Sequence, residues 1–244
     1  MELVNSSNAK NIAALSIISK SPCSPTEIDK RHYGLNESTH QYSAERAAEV
    51  LNRDLKELRL ITCNLDKGCS LAAVHNGEVI DTATGFTPLE GLMIDYSSGS
   101  IDTSVLYQMM REENGTDATS ATVKLEVELE TGNQSSVVST SKVLEDADAM
   151  DTDNSRAKQA LDIYVHRLRS CLGSMLMILG GMDALVFTAE LGENSEIVRE
   201  LVCHSLKFLG LELDLAENQN DPVDLDIATK KSKVRVLVIH TKKT

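Results

Sequence analysis

The residues Gly192-Glu193-Asn194-Ser195 stand at the start of a predicted helix, where a chain can bind polar ligands. The first N–H groups of a helix have no partner within the helix, so its start attracts polar and anionic groups. The same residues admit a second interpretation, because Asn194 and Ser195 are residue types that cap helices. The sequence leaves ligand binding and capping equally open.

Other residues with reactive side chains do not form a recognisable catalytic set. Cys203 and His204 are adjacent, but neighbouring helical residues do not face each other, so we interpret the pair as accidental. A lone histidine such as His40 is more often structural than catalytic. The five cysteines have irregular spacing, which indicates neither a disulfide framework nor a zinc site. We identify no nucleophile–base pair and no acidic pair with metal-ligand spacing.

The strongest local signal among the elements that could position such residues is a hairpin. Residues 70–74 and 78–82 have strand character and flank His75-Asn76-Gly77. Asn-Gly suits a type I′ turn, whose central residues need positive φ, so we expect a β-hairpin here. The other predicted elements are a helix over 43–51 capped by Ser43, a strand over 58–63, a helix over 155–180, a strand over 184–188, a helix over 195–209 and a strand over 234–239.

Residues 155–180 form the clearest predicted helix. Apolar residues from Ala157 to Leu179 recur at helical spacing as one continuous stripe, which we interpret as core or as a dimer surface. Ser155 can cap the start, and Gly180 stands where a left-handed residue ends a helix. Helices alternating with strands predict an α/β fold, in which helices pack on a sheet.

Composition and charge narrow the possible partners. The chain has 244 residues and a net charge of -13, so phosphate backbones and anionic lipid surfaces should be repelled. We expect neither nucleic-acid binding nor membrane binding. No signal peptide is evident and no apolar run could cross a bilayer, which predicts a cytoplasmic protein. Residues 1–30 predict an irregular arm, and residues 112–154 an acidic, poorly patterned insert.

The stretch from Gly85 to Met93, which reads Gly-Phe-Thr-Pro-Leu-Glu-Gly-Leu-Met, resembles a signature of the acetate kinase family. That family transfers the γ-phosphoryl group of ATP to acetate or a similar short carboxylate. Four further segments resemble family motifs in the same order, and five ordered matches are very improbable by chance. These segments are residues 31–40, residues 63–70, the Phe187-Thr188-Ala189-Glu190-Leu191-Gly192-Glu193-Asn194-Ser195 run, and residues 236–241.

The resemblance implies a fold and a domain arrangement. It predicts an actin/hexokinase/Hsp70-like (ribonuclease-H-like) α/β domain with a mixed sheet and packed helices. Residues 31–244 resemble the family's C-terminal domain, so we expect the N-terminal domain of the family to be missing. The family uses ATP and Mg²⁺ and dimerises through its C-terminal domain, which implies adenine-nucleotide binding and a possible homodimer.

The resemblance also implies site residues. The family's catalytic His and Arg positions carry Asn36 and Ser97 here, and neither side chain can supply a cation to the transition state. The position of a magnesium-contacting Glu carries Lys243. Asp66 and Glu190 replace family glycines near the phosphates and the nucleotide. The positions that the resemblance assigns to cofactor binding are Asn64, Gly68, Ser70, Gly192, Glu193 and Asn194. An alternative for Asp66-Lys67-Gly68 is an ordinary turn at the end of a strand.

Three functional hypotheses follow. The first is a carboxylate kinase of the acetate kinase family, an ATP-dependent phosphotransferase whose catalysis is impaired or lost. The second is a non-catalytic relative that dimerises or binds another protein, for which the apolar run Met175-Leu176-Met177-Ile178-Leu179 is suited. The third is a gene product without function. Replacement of the catalytic His and Arg favours the second and third.

Overall fold

The structure is a computed structural model that describes residues 37–66, 68–84, 91–93, 104 and 155–241. The helices are α1 (Glu37–Leu51), α2 (Ser155–Leu179), α3 (Ala189–Asn194), α4 (Glu196–Ser205) and α5 (Leu215–Gln219). The strands are β1 (Arg59–Asn64), β2 (Ser70–His75), β3 (Glu78–Thr82), β4 (Ala184–Thr188), β5 (Leu225–Asp226) and β6 (Arg235–Val238). Two short 3₁₀ turns cover Leu55–Glu57 and Lys207–Leu209.

The strands form one mixed six-stranded sheet in the order β3-β2-β1-β4-β6-β5. Strands β1, β4 and β6 are parallel to one another, whereas β2, β3 and β5 pair antiparallel with their neighbours. Every residue of β4 is buried, as expected for a central strand covered on both faces. Because β1, β4 and β6 run in the same direction, their carboxyl ends meet at one edge of the sheet.

Side-chain alternation along the strands builds a core on each face of the sheet. On one face, Ile61 and Phe187 pack with α2 and α4, the larger of the two cores. On the other face, Leu60 and Val186 pack against the alanines of α1. The result is a three-layer α/β arrangement, and the predicted mixed sheet with packed helices is confirmed.

The predicted hairpin is present. Asn76 and Gly77 have φ of 55° and 78°, the left-handed values that a type I′ turn needs. Strands β2 and β3 are joined by this turn, with His75 opposite Glu78. Local turn chemistry therefore determines this part of the sheet.

The start of α1 was predicted wrongly. We expected Ser43 to cap a helix that begins there, but α1 begins at Glu37 and Ser43 is buried within it. The extra turns are stabilised by His40, which reaches across to the sheet, and this tertiary contact is not visible in local sequence. Residue propensity at Ser43 was outweighed by packing.

Other predicted elements keep their identity with shifted ends. The helix predicted over 195–209 is α4, which ends at Ser205 and is followed by the 3₁₀ turn before Gly210. The helix predicted over 155–180 is α2, followed by Gly180 with a φ of 65°. The predicted arm over 1–30 and the acidic segment 112–154 lie outside the described residues.

Candidate nucleotide site

A cleft of about 520 Å³ lies at the edge where the parallel strands end. Open α/β sheets bind ligands at this edge, and the volume falls within the range of small-ligand pockets. Asp66 follows β1, Ala189 follows β4, and His240 follows β6, so all three parallel strands contribute. The described residues that line the cleft are Asp66, Ala189, Glu190, Glu193, Asn194, Asp221, Pro222, Val223, His240 and Thr241.

Glu193, which we predicted to bind cofactor, joins two walls of the cleft. Its Oε1 accepts hydrogen bonds from the Ala189 N–H at 2.8 Å and from the N–H and hydroxyl of Thr241 at 3.0 and 2.9 Å. Its Oε2 contacts Nδ1 of His240 at 2.5 Å. These bonds hold the segment after β4 against the segment after β6, so the carboxylate already has partners within the protein.

Arg199 supports the same segment from below. Its guanidinium is 2% exposed and donates to the carbonyl oxygens of Gly192 (3.0 Å) and Glu193 (2.7 Å). It also donates to the side-chain and main-chain oxygens of Asn218, both at 2.7 Å. Burial lowers the pKa of Arg199, and the charges of Glu196 and Asp221 offset that effect only in part. The sequence analysis missed this residue, although a basic residue between Val198 and Val202 on an apolar helix face could have signalled it.

Asn194 and Ser195 have separate roles. Ser195 caps α4, because its hydroxyl accepts a hydrogen bond from the Val198 N–H at 3.3 Å. Asn194 lines the cleft and is exposed, and its side chain makes no hydrogen bond with any described residue. The capping interpretation therefore holds for Ser195, while the amide of Asn194 is available to a ligand.

Gly192, another predicted cofactor residue, lies on the buried face of α3 and packs tightly against the sheet. A Cβ placed on it would lie 3.4 Å from the carbonyl carbon of Phe187 and 3.7 Å from the Cys63 oxygen. Gly192 thus lets α3 approach the ends of β4 and β1. It lies next to the cleft without being one of the described lining residues.

Asn64 and Gly68, predicted to bind phosphate, lie where β1 turns into β2. Asn64 is 4% exposed and pairs in register with Thr188 of β4, which is fully buried. Within the part of the chain that the structure describes, the Asn64 Oδ1 and the Thr188 Oγ1 have no hydrogen-bond partner. Buried oxygens without partners cost free energy, so two of them at a ligand-binding edge fit a bound polar group. Gly68 lies in the connecting loop, which agrees with the turn interpretation of that segment.

Ser70 begins β2 and is held by His40. The His40 Nε2 lies 2.8 Å from the Ser70 hydroxyl, and its Nδ1 lies 2.7 Å from the Thr62 hydroxyl. Thr62 donates its own proton to the Ala72 carbonyl at 3.4 Å, so we infer that Nδ1–H donates to Thr62 and that Nε2 accepts from Ser70. His40 is thus a buried structural histidine, as its isolation in the sequence suggested.

Acid should weaken the fold through His40. Burial lowers the pKa of His40 from 6.5 to about 4. His40 therefore binds a proton below pH 6.5 in the unfolded chain, but only below about pH 4 in the folded chain. Stability from this group is full above pH 6.5 and decreases as the pH falls, by up to about 1.4 kcal/mol per pH unit. Urea unfolding at pH 7 and pH 5.5 should show the loss in wild type and in His166→Gln, an exposed control. If His40→Gln lost as much free energy of unfolding between pH 7 and pH 5.5 as wild type, the assignment of the pH dependence to His40 would be contradicted.

Cys203 and His204 do not cooperate. Burial raises the pKa of the Cys203 thiol to about 12, while His204 is exposed to solvent. Among the described residues, Cys63, Cys69, Cys171 and Cys203 form no disulfide. The accidental reading of this pair agrees with the structure.

The cleft is acidic. Asp66, Glu190, Glu193 and Asp221 all line it, and His240 is the basic side chain among the described lining residues. The sequence analysis did not single out His240, Asp221 or Val223. His240 was accessible to sequence reasoning, because it follows a predicted strand whose end should meet the ligand-binding edge.

The whole arrangement can be compared with known proteins. The sequence profile of the acetokinase family matches residues 14–244. This chain belongs to the acetokinase family. An acetate kinase from Rippkaea orientalis is 50% identical over 216 residues, which cover 88% of this chain and 53% of the relative. An acetate kinase from Gloeobacter violaceus is 51% identical over 216 residues, which cover 86% and 51%.

Solved structures of acetokinase relatives have the same fold. A crystal structure of Porphyromonas gingivalis acetate kinase matches with a TM-score of 0.73 and 34% identity, covering 87% of this chain and 53% of that chain. A propionate kinase from Francisella tularensis matches with a TM-score of 0.72 and 31% identity, covering 87% and 53%. The predicted actin/hexokinase/Hsp70-like α/β class is therefore confirmed. The chain spans about half the length of these relatives.

The acetokinase motif at Gly85–Met93 is described only at its end. Gly91 has a φ of 120°, and a Cβ there would collide with the Ala83 carbonyl oxygen, so only glycine fits. The Gly91 carbonyl accepts a hydrogen bond from Arg167 Nε at 2.5 Å, which ties the motif to α2. The motif thus has a packing role at this end.

The family implies Mg²⁺, and the described residues do not by themselves form a site for it. Among them no group of three His, Cys, Asp or Glu residues is arranged to hold a metal ion. Asn36, Ser97 and Lys243, the positions predicted to carry the altered catalytic and metal chemistry, lie outside the described part of the chain. We therefore assign no step to the metal. In the same described part, no helix is long and apolar enough to cross a membrane.

Proposed function

We propose that this chain binds adenine nucleotide in the cleft, and that phosphoryl transfer from ATP to acetate is strongly impaired in it. The observation that carries the proposal is membership of the acetokinase family together with a cleft at the carboxyl ends of β1, β4 and β6. The relatives, an acetate kinase and a propionate kinase, supply the reaction class.

Local geometry supports nucleotide binding. The exposed amide of Asn194 faces no competing partner among the described residues, and it can donate to and accept from a polar ligand. The Asn64 and Thr188 oxygens, which have no partner among the described residues, are buried at the same edge of the sheet without lining the cleft. The segment that carries Asn194 is rigidly held by Glu193 and Arg199, so little ordering cost is expected on binding.

Charge supports impairment. Phosphoryl transfer needs positive charge or hydrogen-bond donors around the transferred group. Among the described lining residues, four carboxylates stand against one histidine as the basic side chain. By family resemblance, Asn36 and Ser97 replace the cationic stabilisers, and Lys243 replaces a magnesium-contacting Glu. Each of these features opposes phosphoryl transfer, while none of them forbids weak binding of a magnesium-nucleotide complex.

Calorimetric titration with Mg-ATP tests the binding proposal. Asn194→Ala should weaken binding by about tenfold, the effect of removing one hydrogen bond to a charged ligand. Asn220→Ala is a matched control, because Asn220 is exposed and does not line the cleft. Wild type without measurable affinity at millimolar nucleotide would overturn the proposal, as would equal affinity in Asn194→Ala.

A second candidate is a non-catalytic relative that forms homodimers. It is favoured by one observation: the end of α2 exposes Met177 (82%) and Ile178 (48%), while Met175 and Leu179 on the opposite face are buried. Exposed apolar groups of this size suit association. Sedimentation of wild type and Met177→Lys would decide, because only a dimer that uses this surface should dissociate in the variant.

We also infer a cytoplasmic location. The described cysteines form no disulfide with one another, which agrees with a reducing compartment, and the proposed ligand is a cytoplasmic nucleotide. Detection of the protein in the soluble cytoplasmic fraction of its cells would test this.

A further inference from the structure

One wall of the cleft is a loop in an unusual backbone conformation. Asp221, Pro222 and Val223 line the cleft, and Asp221 and Asp224 at the two ends of the loop have φ of 46° and 48°. Residues other than glycine rarely adopt left-handed φ, and they keep it only where surrounding contacts enforce it. The contacts that enforce it here therefore control the position of the wall.

At one end of the loop, the carboxylate of Asp224 makes such contacts. Its Oδ2 accepts a hydrogen bond from Nε of Arg46 on α1 at 2.8 Å. Its Oδ1 accepts from the His240 N–H at the end of β6 at 3.0 Å. The Asp224 side chain therefore connects the loop to helix α1 and to the end of β6, where His240 forms another wall of the cleft.

We propose that Arg46 is a positioning residue for the ligand cleft, although it does not line the cleft. Through Asp224 it fixes the wall formed by residues 221–223, including the 64% exposed apolar side chain of Val223. Val223 is an apolar surface in a cleft otherwise rich in carboxylates, and it suits the planar, uncharged part of a nucleotide. This inference rests on the proposed nucleotide binding.

A simple stabilising ion pair would behave differently. Arg46 and Asp224 side chains are 39% and 23% exposed, and pairs this exposed contribute little to global stability. Arg46 also contacts Glu49 within α1 at 2.6 Å, so α1 retains support when Asp224 is removed. Loss of the pair should therefore release the wall without unfolding the domain.

The first experiment measures Mg-ATP affinity and melting temperature for Arg46→Ala, Asp224→Gly and the control Glu49→Gln. If the released wall is in position only a fifth of the time, apparent affinity falls about fivefold. We expect this fall in Arg46→Ala and Asp224→Gly, and affinity within about twofold of wild type in Glu49→Gln. Glycine accepts the left-handed φ without strain, so Asp224→Gly should keep its melting temperature. The Mg-ATP affinity of Asp224→Gly therefore tests the positioning role even if Arg46→Ala folds poorly.

The second experiment measures hydrogen exchange without ligand. The backbone N–H groups of His240, Asp221, Val223 and Asp224 should exchange faster in Arg46→Ala than in wild type or Glu49→Gln. Unchanged hydrogen exchange in Arg46→Ala would overturn the inference. Unchanged Mg-ATP affinity in both Arg46→Ala and Asp224→Gly would also overturn it. A wild-type protein that binds no nucleotide would refute the proposed function, and the exchange result would still decide whether Arg46 positions the wall.

Discussion

Purified wild-type protein should form acetyl phosphate from ATP and acetate at least about a thousandfold more slowly than a full-length acetate kinase, the scale of losing one catalytic arginine. By resemblance, Ser97 stands at that arginine position and Asn36 at the catalytic histidine. In the described structure, Asp66 and Glu190 place negative charge on the cleft that should hold phosphates. These effects oppose the same transition state, so they should act in one direction.

Trapping acetyl phosphate with hydroxylamine measures this directly. A full-length acetate kinase relative serves as the positive control, and omission of acetate or ATP gives the background. A robust signal that needs both substrates and disappears in Asn194→Ala and Gly68→Asp would contradict impairment. Asn220→Ala should leave any residual signal unchanged, because that side chain is exposed and does not line the cleft.

Replacing Arg199 with alanine should destabilise the domain by about 3 to 5 kcal/mol, which is a large fraction of typical domain stability. The variant leaves the carbonyl oxygens of Gly192 and Glu193 and both oxygens of Asn218 without their donor. It also leaves a cavity, because Arg199 is one of the largest fully buried side chains. Urea unfolding at pH 7 gives the measurement.

Two variants make the Arg199 prediction specific. Arg199→Lys keeps a cation but loses the planar fork, so we expect an intermediate loss of about 1 to 2 kcal/mol. Arg53→Ala removes an exposed arginine and should change stability by less than about 0.5 kcal/mol. Equal unfolding midpoints for Arg199→Ala and Arg53→Ala would show that the buried network contributes nothing.

The cleft itself illustrates the limit of local sequence reasoning. The run Gly192-Glu193-Asn194 was identified from sequence, and the structure places it at the cleft with Asn194 exposed and Glu193 bonded to Thr241 and His240. The sequence could not predict which of the three side chains is available to a ligand, because two partners of Glu193, His240 and Thr241, lie almost fifty residues further along the chain. The open wall at Val223 was missed for the same reason.

By itself the sequence determined the family, through motifs in order from residue 31 to residue 241, and the elements whose signals are local. Asn76-Gly77 specified a hairpin because positive φ is a property of the turn residues themselves. The apolar period over Ser155–Leu179 specified a helix because it recurs for many turns.

Only the tertiary structure decided which polar side chains have hydrogen-bond partners within the protein and which are exposed to a ligand. His40 extends α1 because Thr62 and Ser70 of two strands bond its ring, and Arg199 is buried because four oxygens from two segments surround it. The cleft exists because three parallel strands end together, which brings Asp66, Asn194 and His240 to one edge. The physical reason is the same in each case: a buried polar group is stable only with partners, and folding brings those partners from distant parts of the chain.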